Sequence, residues 1–383
     1  MKFPNKLENK IHLRQEKKAF RSLGNSTMLI DFSSNDYLGF AKSETIFDKS
    51  HQFLIENDLK INGATGSRLL SGNHHMYTAV EKQISELHQS ESALIFNSGY
   101  DANIGFFSAV PQRGDVILYD ELIHASIRDG IQLSNAKAYK FKHNNLSDLE
   151  TLLKRYSELI SESDNEIYVV TESVFSMDGD SPSLEIMSQI IKKHKAFFVV
   201  DEAHALGVFG KYGRGEIQRL GLENEVFARI VTFGKALGCH GAVILGSKKL
   251  IQYLVNFARS FIYTTGLSPH ALATIKVAYN HLKEESLQQK LQENIAFFKL
   301  EIERLYLQKL FIESNSAIHC CVVSGNENAK NIANQLQQKG FEVKPILSPT
   351  VFEGEERLRF CLHSYNSHQE ITQVFNLLST FVA

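Results

Sequence analysis

Short β-branched apolar runs alternate with longer segments of helical period through the first two thirds of the chain. The runs lie at 93–96 (ALIF), 116–119 (VILY), 138–141 (AYKF), 167–171 (IYVVT), 197–201 (FFVVD), 230–233 (IVTF) and 242–245 (AVIL). Most are apolar at successive positions, which suits strands covered on both faces. Between them Tyr77, Val80, Ile84 and Leu87 recur at helical spacing, as do Leu146, Leu149, Leu152 and Leu153. Repeated strand–helix–strand units require a mainly parallel sheet, because parallel neighbours need crossover helices. The expectation is an α/β protein whose large domain, over 41–270, has three α/β/α layers.

Past Pro269 the texture changes. A helical stretch over 270–310 is rich in Leu, Glu, Gln and Lys, and strand candidates at 318–323 and 358–362 flank a helix at 329–338. This predicts a smaller α+β C-terminal domain over 271–383. Residues 1–40 read as a charged, helical N-terminal segment. No internal repeat and no low-complexity linker interrupts this plan.

Charge and cysteine usage narrow the function. Over 383 residues, 41 Lys and Arg against 43 Asp and Glu leave a formal charge of −2, which excludes a polybasic nucleic-acid or membrane-surface binder. Cys239, Cys320, Cys321 and Cys361 form no CxxC pair, so neither a zinc ribbon nor a redox pair is expected. The adjacent thiols 320 and 321 lie in an apolar run and read as buried and free. The first 20 residues lack the apolar core of a secretory signal, and no run of 18 apolar residues predicts a spanning helix. The expected location is the cytoplasm.

Ligands of open α/β sheets bind beyond the carboxyl ends of the strands. The segments there are Asn97-Ser98-Gly99-Tyr100, Glu121 to Ser126 with His124, Val174 to Gly179 with Ser176, Asp201-Glu202-Ala203-His204, and Thr232-Phe233-Gly234-Lys235. A Ser-Gly turn opening a helix favours an anion, although a plain helix cap reads the same way. The paired His74 and His75 have no carboxylate or Cys at ligand spacing and read as structural or surface histidines, so no metal is expected. Asp201-Glu202-Ala203-His204 also occurs in a helicase family, but that chemistry needs GxxxxGK[ST]. The nearest match, GAVILGSK at 241–248, has Ser in place of the lysine. Neither GxSxG nor HExxH occurs, which removes two hydrolase designs.

An Asp at a strand end, a later Lys and an upstream His make sense around pyridoxal phosphate. A carboxylate keeps the pyridine nitrogen protonated. The protonated ring is the electron sink for a carbanion at a substrate Cα. Lysine supplies the Schiff base, and a flat imidazole can stack on the ring.

The segment Thr232-Phe233-Gly234-Lys235-Ala236-Leu237-Gly238 resembles the cofactor-lysine motif of the α-oxoamine synthases, fold-type I pyridoxal-phosphate enzymes. The resemblance continues through DFSSNDYLGF (31–40), GATGSRLLSGN (63–73), NSGYDAN (97–103), HAS (124–126), TESVFSMDGDSP (171–182), VVDEAHALGVFGKYGRG (199–215) and ERLRF (356–360). It implies a fold-type I transferase that condenses an amino acid with an acyl thioester and releases carbon dioxide. SSNDYLG, TGSRLLSG and VFSMDGD are most similar to the branch that joins L-alanine to a pimeloyl thioester, on coenzyme A or a carrier protein, in biotin biosynthesis.

By position, the resemblance implies that Lys235 carries the cofactor and removes the Cα proton. Asp201 would pair with the pyridinium nitrogen and His124 would stack on the ring. His204 and Ser176 would bond its phenolic oxygen. Ser98, Gly99, Tyr100 and Thr232 would surround the cofactor and its phosphate. Thr264 or Thr265 would reach the phosphate of a neighbouring subunit, in a homodimer with active sites at the interface. Arg359 and Asn35 would bind the amino-acid carboxylate. His124 or His204 would polarise the thioester oxygen, with His124 preferred. Leu347 and Phe352 depart from the Arg and Pro found there in some members, which affects how the far end of the acyl chain is recognised. The alternatives are a sister synthase using glycine or serine, an aminotransferase of the same fold, and a non-catalytic partner subunit, which the presence of Lys235 opposes.

Overall fold

The computed structural model describes residues 3–21, 23 and 28–382. By contact they form two compact units. The larger comprises Asp36–Phe175 and Ser181–Gln289; the smaller comprises Ser176–Asp180, Lys290–Ala383 and Met1–Asn35, in each case the described residues. The N-terminal segment expected over 1–40 includes positions 1, 2, 22 and 24–27, which lie outside the described residues.

Seven strands build the sheet of the larger unit: Ser92–Phe96 (β1), Val116–Asp120 (β2), Lys137–Phe141 (β3), Ile167–Glu172 (β4), Phe197–Asp201 (β5), Ala228–Thr232 (β6) and Ala242–Gly246 (β7). Their order is β1-β7-β6-β5-β4-β2-β3. All neighbours are parallel except β7, which runs antiparallel to both β1 and β6. The mainly parallel α/β sheet is as the alternation predicts. Strand β6 begins two residues earlier than the sequence run suggests, because Ala228 and Arg229 pair with Val199 and Val200 of β5.

Successive residues of each strand face opposite layers, as strand geometry demands. Ile117, Val170 and Val199 enter one core cluster, with Phe106 and Phe107 of Gly99–Ala109 (α1), Ile127 and Ile131 of Ala125–Leu133 (α2), and Leu250 and Leu254 of the helix Lys248–Phe257. Leu118, Val169 and Val200 enter another, with Leu149 and Leu153 of Leu146–Ile160 (α3) and Met187 and Ile191 of Leu184–Lys193 (α4). Each such fully buried side chain contributes about 1.5–3 kcal/mol relative to exposure. The layers therefore fix the strand ends rigidly.

The helical stretch expected over 270–310 is two helices, Pro269–His281 (α5) and Ser286–Arg304 (α6). No Gly or Pro marks the break. The last turn of α5 tightens instead, with Lys283 N donating to Asn280 O and Glu284 N to His281 O. Helix α5 packs on Glu44–Glu56 and His75–Leu87 and so groups with the larger unit, whereas the sequence reading placed 271 onward in the small domain.

The smaller unit has a three-stranded antiparallel sheet. Lys344–Ile346 (β9) and Ile318–Val322 (β8) flank Arg357–Cys361 (β10). Helices Asn326–Gln338 and His368–Val382 complete it, with Phe298 in ring contact with both Phe360 and Phe375. Residues Ile30–Asp31 pair in parallel with Phe341–Glu342.

Candidate active site

Strand β5 ends on Asp201, which pairs with Glu172 at the end of β4 and Ile230 of β6. Asp201 is buried, and its Oδ1 accepts the Ala203 amide at 2.9 Å. Its Oδ2 accepts from Asn103 Nδ2 at 3.0 Å. The second Asn103 hydrogen goes to Ser126 Oγ at 2.9 Å, and Ser126 Oγ lies 2.7 Å from His124 Nδ1. The Ser126 amide also donates to that Nδ1, at 3.2 Å. Nδ1 is therefore the acceptor nitrogen of neutral His124, and Nε2 carries the hydrogen. Burial of the imidazole lowers the His124 pKa against the pull of Asp201. The imidazole is thus an oriented, neutral donor.

Two carboxylates at neighbouring strand ends cannot both ionise cheaply. Burial and the adjacent Asp201 push the Glu172 carboxyl well above the usual range. Glu172 Oε1 accepts the His124 amide at 2.6 Å, which fixes the backbone that carries the imidazole.

Strand β6 ends on Thr232, and the turn after it carries Lys235. Lys235 Nζ lies 2.7 Å from His204 Nε2, and His204 Nδ1 lies 2.6 Å from Tyr37 Oη. Both His204 and Tyr37 are buried. A Cβ built on Gly99 would lie 3.5 Å from Thr232 Cβ and Oγ1, so the first turn of α1 sits against the Thr232 hydroxyl. Ser98 caps that helix, accepting from Asp101 N at 3.0 Å. The first amides of a helix have no partner within it and attract anions. Tyr100 Oη donates to Asp129 at 2.6 Å. Asn97 Nδ2 donates to Thr264 Oγ1 at 3.0 Å and to Thr265 O at 2.7 Å. Thr264 and Thr265 are thus held by the Asn97 side chain.

In the smaller unit Arg359 is buried, with three of its donors engaged. Nε donates to Ser176 O at 2.7 Å, Nη2 to Asn35 Oδ1 at 2.9 Å, and Nη1 to Cys361 Sγ at 2.8 Å. The structure thus brings Arg359, Asn35 and Ser176 together. Cys320, Cys321 and Cys361 are buried thiols that form no disulfide among the described residues.

Besides Glu172, three residues of this site have no role in the sequence reading: Tyr37, Asn103 and Ser126. Asn103 carried one signal, a polar residue on the apolar face of α1 beside Ala102, Phe106 and Phe107. Glu202, next to Asp201, is structural. It binds Arg229 Nε at 2.8 Å and the Ile217 amide at 2.9 Å, and Arg229 reaches His88 O at 2.9 Å.

The family model for aminotransferases of class I and II matches residues 27–377. An 8-amino-7-oxononanoate synthase of Emericella nidulans is 39% identical over 92% of this chain and 89% of its own. The crystal structure of 8-amino-7-oxononanoate synthase from Francisella tularensis has a TM-score of 0.76 at 29% identity, covering 92% of this chain and 97% of that one. A serine palmitoyltransferase structure holding pyridoxal phosphate as its internal aldimine has a TM-score of 0.90 at 25% identity, covering 100% of this chain and 98% of that one.

Proposed function

The chain belongs to the aminotransferase class I and II family, and on that premise we propose that it is a pyridoxal-phosphate-dependent acyltransferase making 8-amino-7-oxononanoate. It would join L-alanine to a pimeloyl thioester, on coenzyme A or a carrier protein, and release carbon dioxide and the thiol. The observation that carries the reading is one juxtaposition: Asp201 and Lys235 follow neighbouring parallel strands, each tied to a buried polar partner.

The residues present fit the cofactor. Asp201 is a buried carboxylate at an open sheet edge, where a cation is needed to compensate it. Asn103 Oδ1, beside it, is buried without a hydrogen-bond partner. Lys235 would hold the cofactor, with Asp201 keeping its ring nitrogen protonated and His124 against its face. His204 and Ser176 would bond its phenolic oxygen. Gly99, Tyr100, Ser98 and Thr232 would hold its phosphate. When bound, the cofactor supplies an electron sink for charge developing at the amino-acid Cα.

The protein's own groups do the rest. Arg359, anchored by Ser176 and Asn35, forks onto the amino-acid carboxylate. Lys235 Nζ takes the Cα proton as a neutral amine and later returns it. His124 Nε2–H polarises the thioester oxygen as the new carbon–carbon bond forms. His204 faces Tyr37 and Lys235, so His124 is the one assigned to the thioester. We place the enzyme in the cytoplasm as a homodimer, with Thr264 or Thr265 serving the neighbouring subunit's phosphate. Among the described residues no helix is long and apolar enough to cross a membrane.

The likeness to serine palmitoyltransferase favours one second reading, a sister synthase using serine or glycine. One experiment decides. Purified protein is given alanine, glycine or serine with a panel of acyl thioesters, and products are identified by mass spectrometry. Alanine with a pimeloyl thioester should give 8-amino-7-oxononanoate; preference for glycine or serine with another thioester would replace this reading with the second.

A further inference from the structure

Tyr37 lies in the SSNDYLG segment, 167 positions before the histidine it touches. Its side chain is fully buried and its Oη is 2.6 Å from His204 Nδ1. The other nitrogen of the same ring, Nε2, is 2.7 Å from Lys235 Nζ. The three groups stand in line, with the imidazole between a phenol and an amine.

The backbone holds that line rigidly. Gly207 has φ +77, and a Cβ built there would lie 2.4 Å from Ala236 Cβ and 3.2 Å from Leu38 Cδ1. The His204 turn is therefore wedged between the neighbours of Tyr37 and of Lys235. The Tyr37 segment is pinned in turn, since Asp36 O accepts Gly39 N at 2.9 Å and Asp36 Oδ1 accepts Ala41 N at 3.1 Å.

Proton placement follows from the chemistry at one end. An amine can attack a carbonyl or take a proton only as the neutral base, which keeps its lone pair. The lone pair of a neutral amine can accept from an N–H at His204 Nε2, whereas an ammonium only donates, so a hydrogen on Nε2 favours the neutral amine. Neutral imidazole has one hydrogen, so Nδ1 is then bare. A buried bare nitrogen requires a donor, and the Tyr37 hydroxyl is in place to be it. The opposite tautomer would offer Lys235 an acceptor, which favours the ammonium.

We propose that Tyr37 is a positioning residue that donates its O–H to His204 Nδ1 and holds His204 in the Nε2–H tautomer, so that Lys235 is kept as a neutral amine. The proposal rests on Lys235 being the reacting amine. Its test does not depend on turnover.

The full-length chain, freed of cofactor and labelled with 15N-histidine, is examined by long-range proton–nitrogen correlation at neutral pH. A His204→Gln spectrum assigns the His204 signals. The wild type should show a protonated Nε2 and a bare Nδ1. Tyr37→Phe removes only the hydroxyl and should shift His204 towards the Nδ1–H or doubly protonated form. In the active enzyme the same variant should lower kcat about tenfold, equivalent to ~1.4 kcal/mol, with the amino-acid KM within about twofold. A wild-type Nδ1–H tautomer overturns the proposal, and this result does not depend on whether Tyr37→Phe folds. Identical His204 signals in wild type and Tyr37→Phe overturn it as well. If the tautomer behaves as stated but no cofactor binds to Lys235, the functional reading fails while the assignment of Tyr37 stands.

Discussion

Arg359→Lys keeps the positive charge of the proposed carboxylate anchor and removes its fork. Arg359 spends Nε on Ser176 O, Nη2 on Asn35 Oδ1 and Nη1 on Cys361 Sγ. A planar guanidinium can meet these partners and still direct N–H groups at a ligand, whereas an ammonium on a flexible stem cannot hold the same set. The loss is about one charge-assisted hydrogen bond, ~1.5–3 kcal/mol, or about 10- to 150-fold in kcat/KM for the amino acid. Arg359→Ala should lose at least as much, and it also strands the Asn35 and Ser176 acceptors, so its stability should fall. Arg359→Lys therefore separates recognition from folding. The assay is steady-state kinetics with alanine varied at saturating thioester, then the reverse, with a urea unfolding curve for each variant. The expected pattern is a large loss for alanine and a small change in the thioester KM. If Arg359→Lys stayed within about twofold of wild type for alanine, the carboxylate assignment would be wrong.

Three further outcomes concern stability. Glu202→Ala strands the buried Arg229, whose partner side chain is 1% exposed, and should cost about 3–5 kcal/mol in urea unfolding; a cost below about 1 kcal/mol would show that the pair is dispensable. His319 is buried and its pKa is lowered from 6.5 to about 3, so it contributes stability above pH 6.5 that is lost as the pH falls towards 3. The stability of His319→Leu relative to wild type should improve across that acid range by up to roughly 5 kcal/mol, and a pH-independent difference would refute the burial argument. Glu172 has a raised pKa, so the stability it contributes is present below the unfolded value of 4.5 and lost as the pH rises through its folded value. Glu172→Gln should therefore gain on wild type as the pH rises above 4.5, measured on cofactor-free protein; a gain on acidification would reverse the sign.

The strand ends were legible because their chemistry is local. Each proposed site residue there ends or follows an apolar run that forms a strand, and parallel strands deliver their carboxyl ends to one edge. Asp201, Lys235 and Thr232 were found this way. The residues that orient them were not, because their partners are remote in sequence: Asn103 lies 98 positions from Asp201 and Tyr37 lies 167 from His204. No periodicity encodes such a pair. The strand Lys344–Ile346 was missed for a different reason. It is three residues long, contains Pro345 and lies at a sheet edge, where a proline costs no ladder hydrogen bond. The break between α5 and α6 lacked any glycine or proline to announce it. Arg359 and Asn35 were paired in advance only through the family resemblance, and in the structure Arg359 Nη2 donates to Asn35 Oδ1 across 324 positions.

The account stands on pyridoxal phosphate held by Lys235. The protein, reconstituted with pyridoxal phosphate, is reduced with borohydride, digested and sequenced by mass spectrometry. The predicted result is one phosphopyridoxyl-modified site, Lys235, absent from Lys235→Ala. A modification confined to another lysine, or none at all, would contradict the account.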